Sequence, residues 1–552
     1  MVCPCGDPAS FVSFLAWPPY AMAHGLGLFL DTRVQVPGGM NLLDNTSVLG
    51  LGVVLAPLTV TLGPIASLNV ALTAAPALTA VAAYGCLRRA LGLWRPAAFI
   101  GGLLLGFSPF AMRNEAIGHL QVTFLPLLPV IFLCCYELAV AQRGRWWPSG
   151  ILLGVVVAVQ FFVGLEALTI TAVMTAGALV LALIAALARE STRAAVTSRL
   201  PHAWRGLLLG AVLAAVLLAY PLWFALAGPG HIHGADWTAL TSNSLDRVLL
   251  PLGMSRGQLA ALPKTGYPGP AGQLSGYFGI VALIVVLVAA VVVRRPLAKL
   301  CAVMTVVALW LSLGKGHAGG SLLRPWGLVA HLPLLDNVSP ANFSIAAVWF
   351  GAVAGALLLD WAWRLRAASV IRVGAATAVC AALVVPWAVA WPLPYRTQPV
   401  TTPAPVATVL ARLPAHAVVL FYPFPSSYLD QALVWQAQAG LRFAVVGGRG
   451  ITAGKHGAAD HGLTPGTPSG TMSALSTSYS PHSHLRLPSP PTSAMISSFR
   501  SALRRWGVTD IVLTSSGRDP AYARRWLAAV LGVAPQHQAG LWVWRNVPHL
   551  IS

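Results

Sequence analysis

Between residues 66 and 392 the sequence alternates long apolar runs with short polar breaks. Ten runs reach bilayer-crossing length: 66–87, 96–112, 120–142, 149–165, 167–188, 206–228, 274–293, 297–313, 343–363 and 371–392. A span needs about 20 apolar residues, because the hydrocarbon layer is about 30 Å thick. Unpaired amides are costly in hydrocarbon, so each run is predicted to be a helix that satisfies its own backbone. Ahead of them, 47–65 (SVLGLGVVLAPLTVTLGPI) is apolar but broken by Gly and Pro, and is expected to lie in the interface as a juxtamembrane helix. Residues 10–31 carry Trp17, Pro18, Pro19, Tyr20 and His24, which read as aromatic rings at headgroup depth.

After residue 393 the period changes. Strands are predicted at 418–425, 441–448, 508–514 and 541–547, and helices at 430–439, 496–506 and 519–532. This alternation predicts a small α/β domain. Residues 449–495 are rich in Gly, Ser, Pro and His and read as a disordered loop. The expected organisation has three parts: 1–65, an outer-face loop with juxtamembrane helices; 66–393, a transmembrane domain of about ten helices; and 394–552, an extracytoplasmic α/β domain. The predicted fold class is mainly α, a polytopic helical bundle with a small C-terminal α/β domain.

Composition agrees with the pattern. Of 552 residues, 57% are apolar and 9% charged, whereas soluble domains carry about 25% charged residues. A soluble enzyme, a disordered chain and a typical nucleic-acid binder are thereby excluded. The +20 formal charge comes from 35 Lys and Arg against 15 Asp and Glu, and in a membrane protein such an excess mainly sets orientation. Arg88, Arg89, Arg95, Arg143, Arg145, Arg189, Arg193, Arg199, Arg205, Arg294, Arg295, Lys299, Arg364, Arg366 and Arg372 fall in one set of loops, which is therefore read as cytoplasmic. The loops 113–119, 229–273 and 314–342, and everything after 393, then face outward. With ten spans both ends lie outside, so this reading expects a further membrane helix upstream of residue 1. The seven cysteines form no disulfide framework.

Few residues carry reactive chemistry. Asp7 sits in Gly-Asp-Pro, a turn sequence. Glu166 lies between two spans, and a carboxylate near membrane depth is a functional suspect because it is costly there. Arg113, Glu115 and His119 share the turn RNEAIGH. Asp31 and Asp44 are scattered through the first loop without metal-ligand spacing. His231, His233 and Asp236 form H-x-H-x-x-D, too short a cluster to assign zinc. No metal and no cofactor is expected. Arg247, Arg256, Lys264, Lys315 and Arg324 are outward cations able to meet a phosphate. Asp360 and Arg364, one helical turn apart, are read as a structural pair. Neither G-x-G-x-x-G nor G-x-x-x-x-G-K-[ST] occurs in the tail; GGRGITAG at 447–454 fits neither.

The layout resembles the actinobacterial multispanning membrane proteins related to GT-C glycosyltransferases. Matching segments are GDPASFVSFLAWPPYAMAHG (6–25), PGGMNLLDNTSVLGL (37–51), GFSPFAMRNEAIGHLQVTF (106–124), LSLGKGH (311–317), HLPLLDNVSPANF (331–343), YPFP (422–425) and WQAQAGLRF (435–443). Asn342 stands where related chains tend to have Arg. The resemblance implies a GT-C-like bundle in the plasma membrane. It would take a sugar from a polyprenyl-phosphate donor and place it on an envelope glycan, lipid or protein at the outer face. It puts the catalytic carboxylate at Asp7, with His24, Asp44, Glu115, His119 and Glu166 supporting it or binding substrate. Arg113, Arg247 and Lys315 would hold the lipid phosphate. A transporter or flippase, or a non-catalytic scaffold whose tail binds envelope partners, is the alternative.

Overall fold

The computed structural model describes residues 6–233, 242–251, 276–314, 326–329, 335, 338–394, 397, 399–426, 429–460, 466–478 and 485–551. The chain opens with α1 (Asp7–Ala23), followed by a short antiparallel pair, β1 (Leu30–Asp31) and β2 (Met40–Asn41). Two short helices, α2 (Leu49–Val54) and α3 (Ala56–Leu62), lead into α4 (Pro64–Leu91). Then come α5 (Arg95–Gly106), α6 (Pro109–Ile117), α7 (Leu120–Thr123) and α8 (Leu127–Tyr136), the last running on into a π-helical turn at Glu137–Ala141. Next are α9 (Trp146–Val163), α10 (Leu165–Leu187), α11 (Glu190–Ala227) and the short α12 (Leu245–Leu249). The bundle closes with α13 (Ile280–Val292), α14 (Pro296–Ser312), α15 (Ser344–Trp363) and α16 (Ser369–Val389).

All ten apolar runs fall on helices, with breaks such as 107–108 and 124–126 and non-helical ends such as 276–279 and 390–392. Eight helical stretches among the described residues are long and apolar enough to cross a membrane. The other two, α13 with 13 residues and α14 with 17, span about 20 and 26 Å at 1.5 Å per residue, short of the hydrocarbon thickness. Their ends explain the shortfall: Gly279, at φ 91°, starts α13, and Arg295-Pro296 starts α14 only three residues after α13 ends. The run expected at 206–228 is the second half of the 38-residue α11. Large apolar side chains point outward on many of these helices, with Val291 82% and Val370 80% exposed. That suits a lipid-facing surface and would be unusual for a soluble monomer.

The core centres on α15, buried along almost its whole length and surrounded by α5, α13, α14 and α16. At one end of α15, buried Asp360 accepts the Trp94 amide proton at 2.7 Å and pairs with Arg364 Nε at 2.9 Å. The carboxylate ties the start of α5 to the end of α15. Asp360→Ala is expected to cost about 2 kcal/mol, because the Trp94 N–H loses its acceptor and half-exposed Arg364 loses its partner. The melting temperature of detergent-purified protein would check this; a drop of under a degree would contradict it.

The tail begins with α17 (Ala404–Ala411) and builds a five-stranded sheet. Its strands are β3 (Val418–Tyr422), β4 (Ala444–Val445), β7 (Asp510–Leu513), β8 (Gln536–Gln538) and β9 (Leu541–Trp544). The order is β4-β3-β7-β9-β8; the first two pairings are parallel and the last two antiparallel. The tail helices are α18 (Gln431–Gln438), α19 (Pro468–Ser476), α20 (Ser493–Trp506), α21 (Pro520–Leu531) and α22 (Val547–Leu550).

Two expectations change. The loop expected to be disordered over 449–495 holds a small antiparallel pair, β5 (Thr452–Ala453) with β6 (Ala459–Asp460), and then α19 and the start of α20. Its backbone finds partners far away in sequence: Ile451 N donates to Asn45 Oδ1 at 2.8 Å, and His233 N donates to Gly457 O at 2.7 Å. Such partners leave no local periodicity. Trp17, read as an interfacial ring, is fully buried inside the protein, with its indole N–H donating to Leu28 O at 3.0 Å. The tail also packs on the N-terminal segment. Leu433, Val434, Ala437 and Leu441 share one apolar core with Phe11, Leu15 and Trp17 of α1 and with Leu68 and Leu72 of α4.

Candidate active site

The site forms where the start of α1 meets the α6–α7 turn, the start of α10 and the tail. Gly6 precedes α1 at φ 65°, and Asp7-Pro8 forms its first turn. Proline there has the right φ already set, and a carboxylate beside the free N–H groups is stabilised by the helix dipole. Gly118 brings the α6–α7 turn onto this end. Its φ is 76°, and a Cβ there would sit 2.5 Å from Pro8 Cγ. Only glycine permits that approach, which carries His119 onto the carboxylate: His119 Nε2 lies 2.7 Å from Asp7 Oδ2. The His119 backbone is fixed in turn, its N–H donating to Asn114 O at 2.8 Å and its C=O accepting the Thr123 hydroxyl at 2.8 Å.

The other oxygen of Asp7 takes the Arg449 guanidinium. Arg449 is placed by contacts on both sides. Gln35 Nε2 donates to Gly448 O at 3.0 Å, and the Asn45 side-chain amide pairs with both backbone groups of Ile451, at 2.8 and 3.0 Å. Just behind, Asp430 Oδ1 accepts the Gly6 N–H at 3.1 Å. The side chains of Asp7 and His119 remain 20% and 18% exposed, so the pair is reachable from outside. Burial raises the pKa of Asp7, but Arg449 and His119 outweigh it and hold the carboxyl well below the usual carboxylate range.

Glu166, in the first turn of α10, accepts the Ser339 amide proton at 2.7 Å and is hydrogen-bonded by the Asn342 side chain. His119 is close enough to interact with it electrostatically. The imidazole thus stands between two carboxylates, Asp7 and Glu166. On α6, Arg113 lies near enough to Arg247 of α12 for the two cations to repel each other. Glu115 is half-buried on the same helix, its carbonyl accepting the Gly118 N–H at 2.9 Å.

Two expected site residues lie elsewhere. His24 sits just past the other end of α1, about 25 Å along a 17-residue helix from Asp7. It stacks on Tyr20 with ring centres 4.0 Å apart and bonds to the Tyr20 carbonyl. Asp44 turns instead toward the His231–Ile232 segment, where burial, set against the Ile232 N–H and His231, pushes its carboxyl up to about 6. Lys315, Asp236, Arg256, Lys264 and Arg324 fall outside the described residues. Among the described residues no group of three or more His, Cys, Asp or Glu is placed to hold a metal. Sequence reasoning missed Arg449 and Asp430. Asp430 does lie five residues before WQAQAGLRF, but nothing local marks a partner of residue 7.

No family model and no curated protein matches the chain. Among solved structures, the chain is similar to the archaeal oligosaccharyltransferase AglB from Archaeoglobus fulgidus, solved with an inhibitory peptide and a dolichol-phosphate. The identity is 11% and the TM-score 0.42, over 96% of this chain and 67% of that one. It is also similar to the arabinofuranosyltransferase AftD from Mycobacteria, at 15% identity and TM-score 0.39, over 91% of this chain and 34% of AftD. The chain therefore spans about a third of AftD's length. Both names are those of sugar-transferring enzymes.

Proposed function

We propose that the chain is an integral membrane glycosyltransferase of GT-C type. It moves a sugar from a polyprenyl-phosphate donor to an envelope acceptor on the outer face of the plasma membrane, with the tail on that side. The observation that carries this reading is the meeting of Asp7 with His119 and Arg449 at a partly open site, with Glu166 within electrostatic reach of the same imidazole.

In this reaction the acceptor hydroxyl oxygen bonds to the anomeric carbon, the bond from that carbon to the phosphate oxygen breaks, and the hydroxyl proton goes to Asp7. The transition state of glycosyl transfer resembles an oxocarbenium ion. The hydroxyl therefore becomes acidic only as the new bond forms, and a weak base serves if it is in place. Arg449 and His119 keep Asp7 ionised and aimed; an incoming hydroxyl takes over one of their hydrogen bonds. The departing polyprenyl phosphate is held by Arg113 and Arg247, whose mutual repulsion an anion between them would relieve.

The test is transfer of labelled sugar from polyprenyl phosphate in membranes bearing the full chain, compared with membranes bearing Asp7→Ala. Equal transfer by both removes Asp7 from the reaction. A second expectation concerns the donor: Arg247→Ala raises its KM by about tenfold or more, the worth of one charge-assisted hydrogen bond, with kcat reduced less. An unchanged donor KM would exclude Arg247 from the phosphate site.

A further inference from the structure

The tail reaches Asp7 through two residues, Arg449 on one oxygen of its carboxylate and Asp430 on the amide just before it. Asp430 is fully buried. Its Oδ1 accepts the Gly6 N–H, while Oδ2 is buried with no hydrogen-bond partner among the described residues. A buried carboxylate oxygen without a donor is costly when ionised and is relieved by a proton. The charged groups acting on Asp430 are Arg449 from the tail loop and Asp7 from α1; beyond them, His119 holds the far oxygen of Asp7.

We infer that Asp430 and Arg449 are positioning residues through which the tail sets the readiness of Asp7 to take a proton, depending on the charge of Asp430. This rests on the reading of Asp7 as the base. With Asp430 ionised, Arg449 is shared by two carboxylates, and the second negative charge makes Asp7 more willing to accept a proton. With Asp430 protonated, Arg449 is committed to Asp7, which is then at its least basic. One proton exchanged with solvent at Asp430 converts one state into the other. Burial pushes this carboxyl up to about 7, against the pull of Arg449, its own backbone N–H and the Gly6 N–H, so the change falls near neutral pH. The arrangement couples the tail fold to the chemistry, since α18 carries Asp430 at its start and packs on α1.

The experiment uses the full chain in membranes, with polyprenyl phosphate carrying a labelled sugar, between pH 6 and 8. The parent protein is expected to show kcat rising through about pH 7. Asp430→Asn, locked neutral, is expected to lose that rise and to fall about tenfold below the parent at pH 8, with the acceptor KM little changed. Arg449→Lys keeps the charge but not the planar guanidinium that reaches Asp7; it is expected to lower kcat and to keep the pH dependence. If Asp7→Ala is inactive while Asp430→Asn keeps the parent's rate and profile, the inference fails and the reading of Asp7 survives. If Asp7→Ala transfers as well as the parent, both fail. If Asp430→Asn does not fold, Arg449→Lys decides, and an unchanged kcat overturns the inference.

A readout without substrate runs beside it. Asp430 keeps its proton in the folded chain up to about pH 7, whereas an unfolded Asp loses it near pH 3.9. The folded state therefore binds more protons between these values, and Asp430 makes stability fall as pH rises from about 4 to about 7 and level off above. Part of the drop in melting temperature over that window is expected to vanish in Asp430→Asn; superimposable profiles would overturn the inference even if no donor tried is used.

Discussion

Replacing Asp7 with Ala is expected to lower sugar transfer by about 10²- to 10⁴-fold, the usual contribution of a positioned acid or base. Asp7→Asn is expected to fall nearly as far. It keeps the shape and one acceptor oxygen, but it cannot take the hydroxyl proton and loses the charge that draws in Arg449 and His119. The loss should lie in kcat, with the donor KM moving little, because the phosphate contacts are assigned to Arg113 and Arg247. Membrane abundance of the variants is expected to match the parent, since the Asp7 side chain is a fifth exposed and lies outside the apolar core beneath α1. A KM effect with kcat intact would make Asp7 a binding residue. Unchanged transfer would end the glycosyltransferase reading of this site.

Substitution of Gly106 acts through packing. Gly102 and Gly106 let α5 lie directly against α4. A Cβ at Gly102 would sit 2.5 Å from Ala80 O, and one at Gly106 would run into Pro76 O and sit 2.8 Å from Ala80 Cβ. Small residues four apart commonly allow this approach in membrane helices. Even Gly106→Ala is expected to cost about 2 kcal/mol, and Gly106→Leu more, because the obstacle is backbone and cannot swing aside. A melting temperature several degrees lower, with less protein accumulating, would register the change. Transfer should fall as well: Gly106 ends α5 two residues before Ser108, which caps the helix carrying Arg113 and leading to His119. A Gly106→Leu protein as stable as the parent would mean that α4 and α5 do not meet this way.

How much was legible varied with the range of the interaction. The apolar runs marked every bundle helix, because a helix buries or exposes residues by local spacing. Gly102 and Gly106 were not singled out from sequence, because what they face, Pro76 and Ala80, lies on another helix. Glu166 stood out as a costly carboxylate and Asp7 and His119 through the family resemblance, and the structure puts His119 against Asp7 and within electrostatic reach of Glu166. Asp44 and His24 looked equivalent in sequence yet turn elsewhere: His24 because it follows the far end of α1, and Asp44 because its loop folds onto the His231 segment.

Sequence by itself determined a helical membrane bundle with an α/β tail and the small set of residues able to do chemistry, since hydropathy and side-chain type are properties of single positions and their near neighbours. Only the tertiary structure decided that the tail joins the site. Arg449 and Asp430 lie more than 400 residues from their partners, and the core shared by α1 and α18, not any local pattern, brings them there.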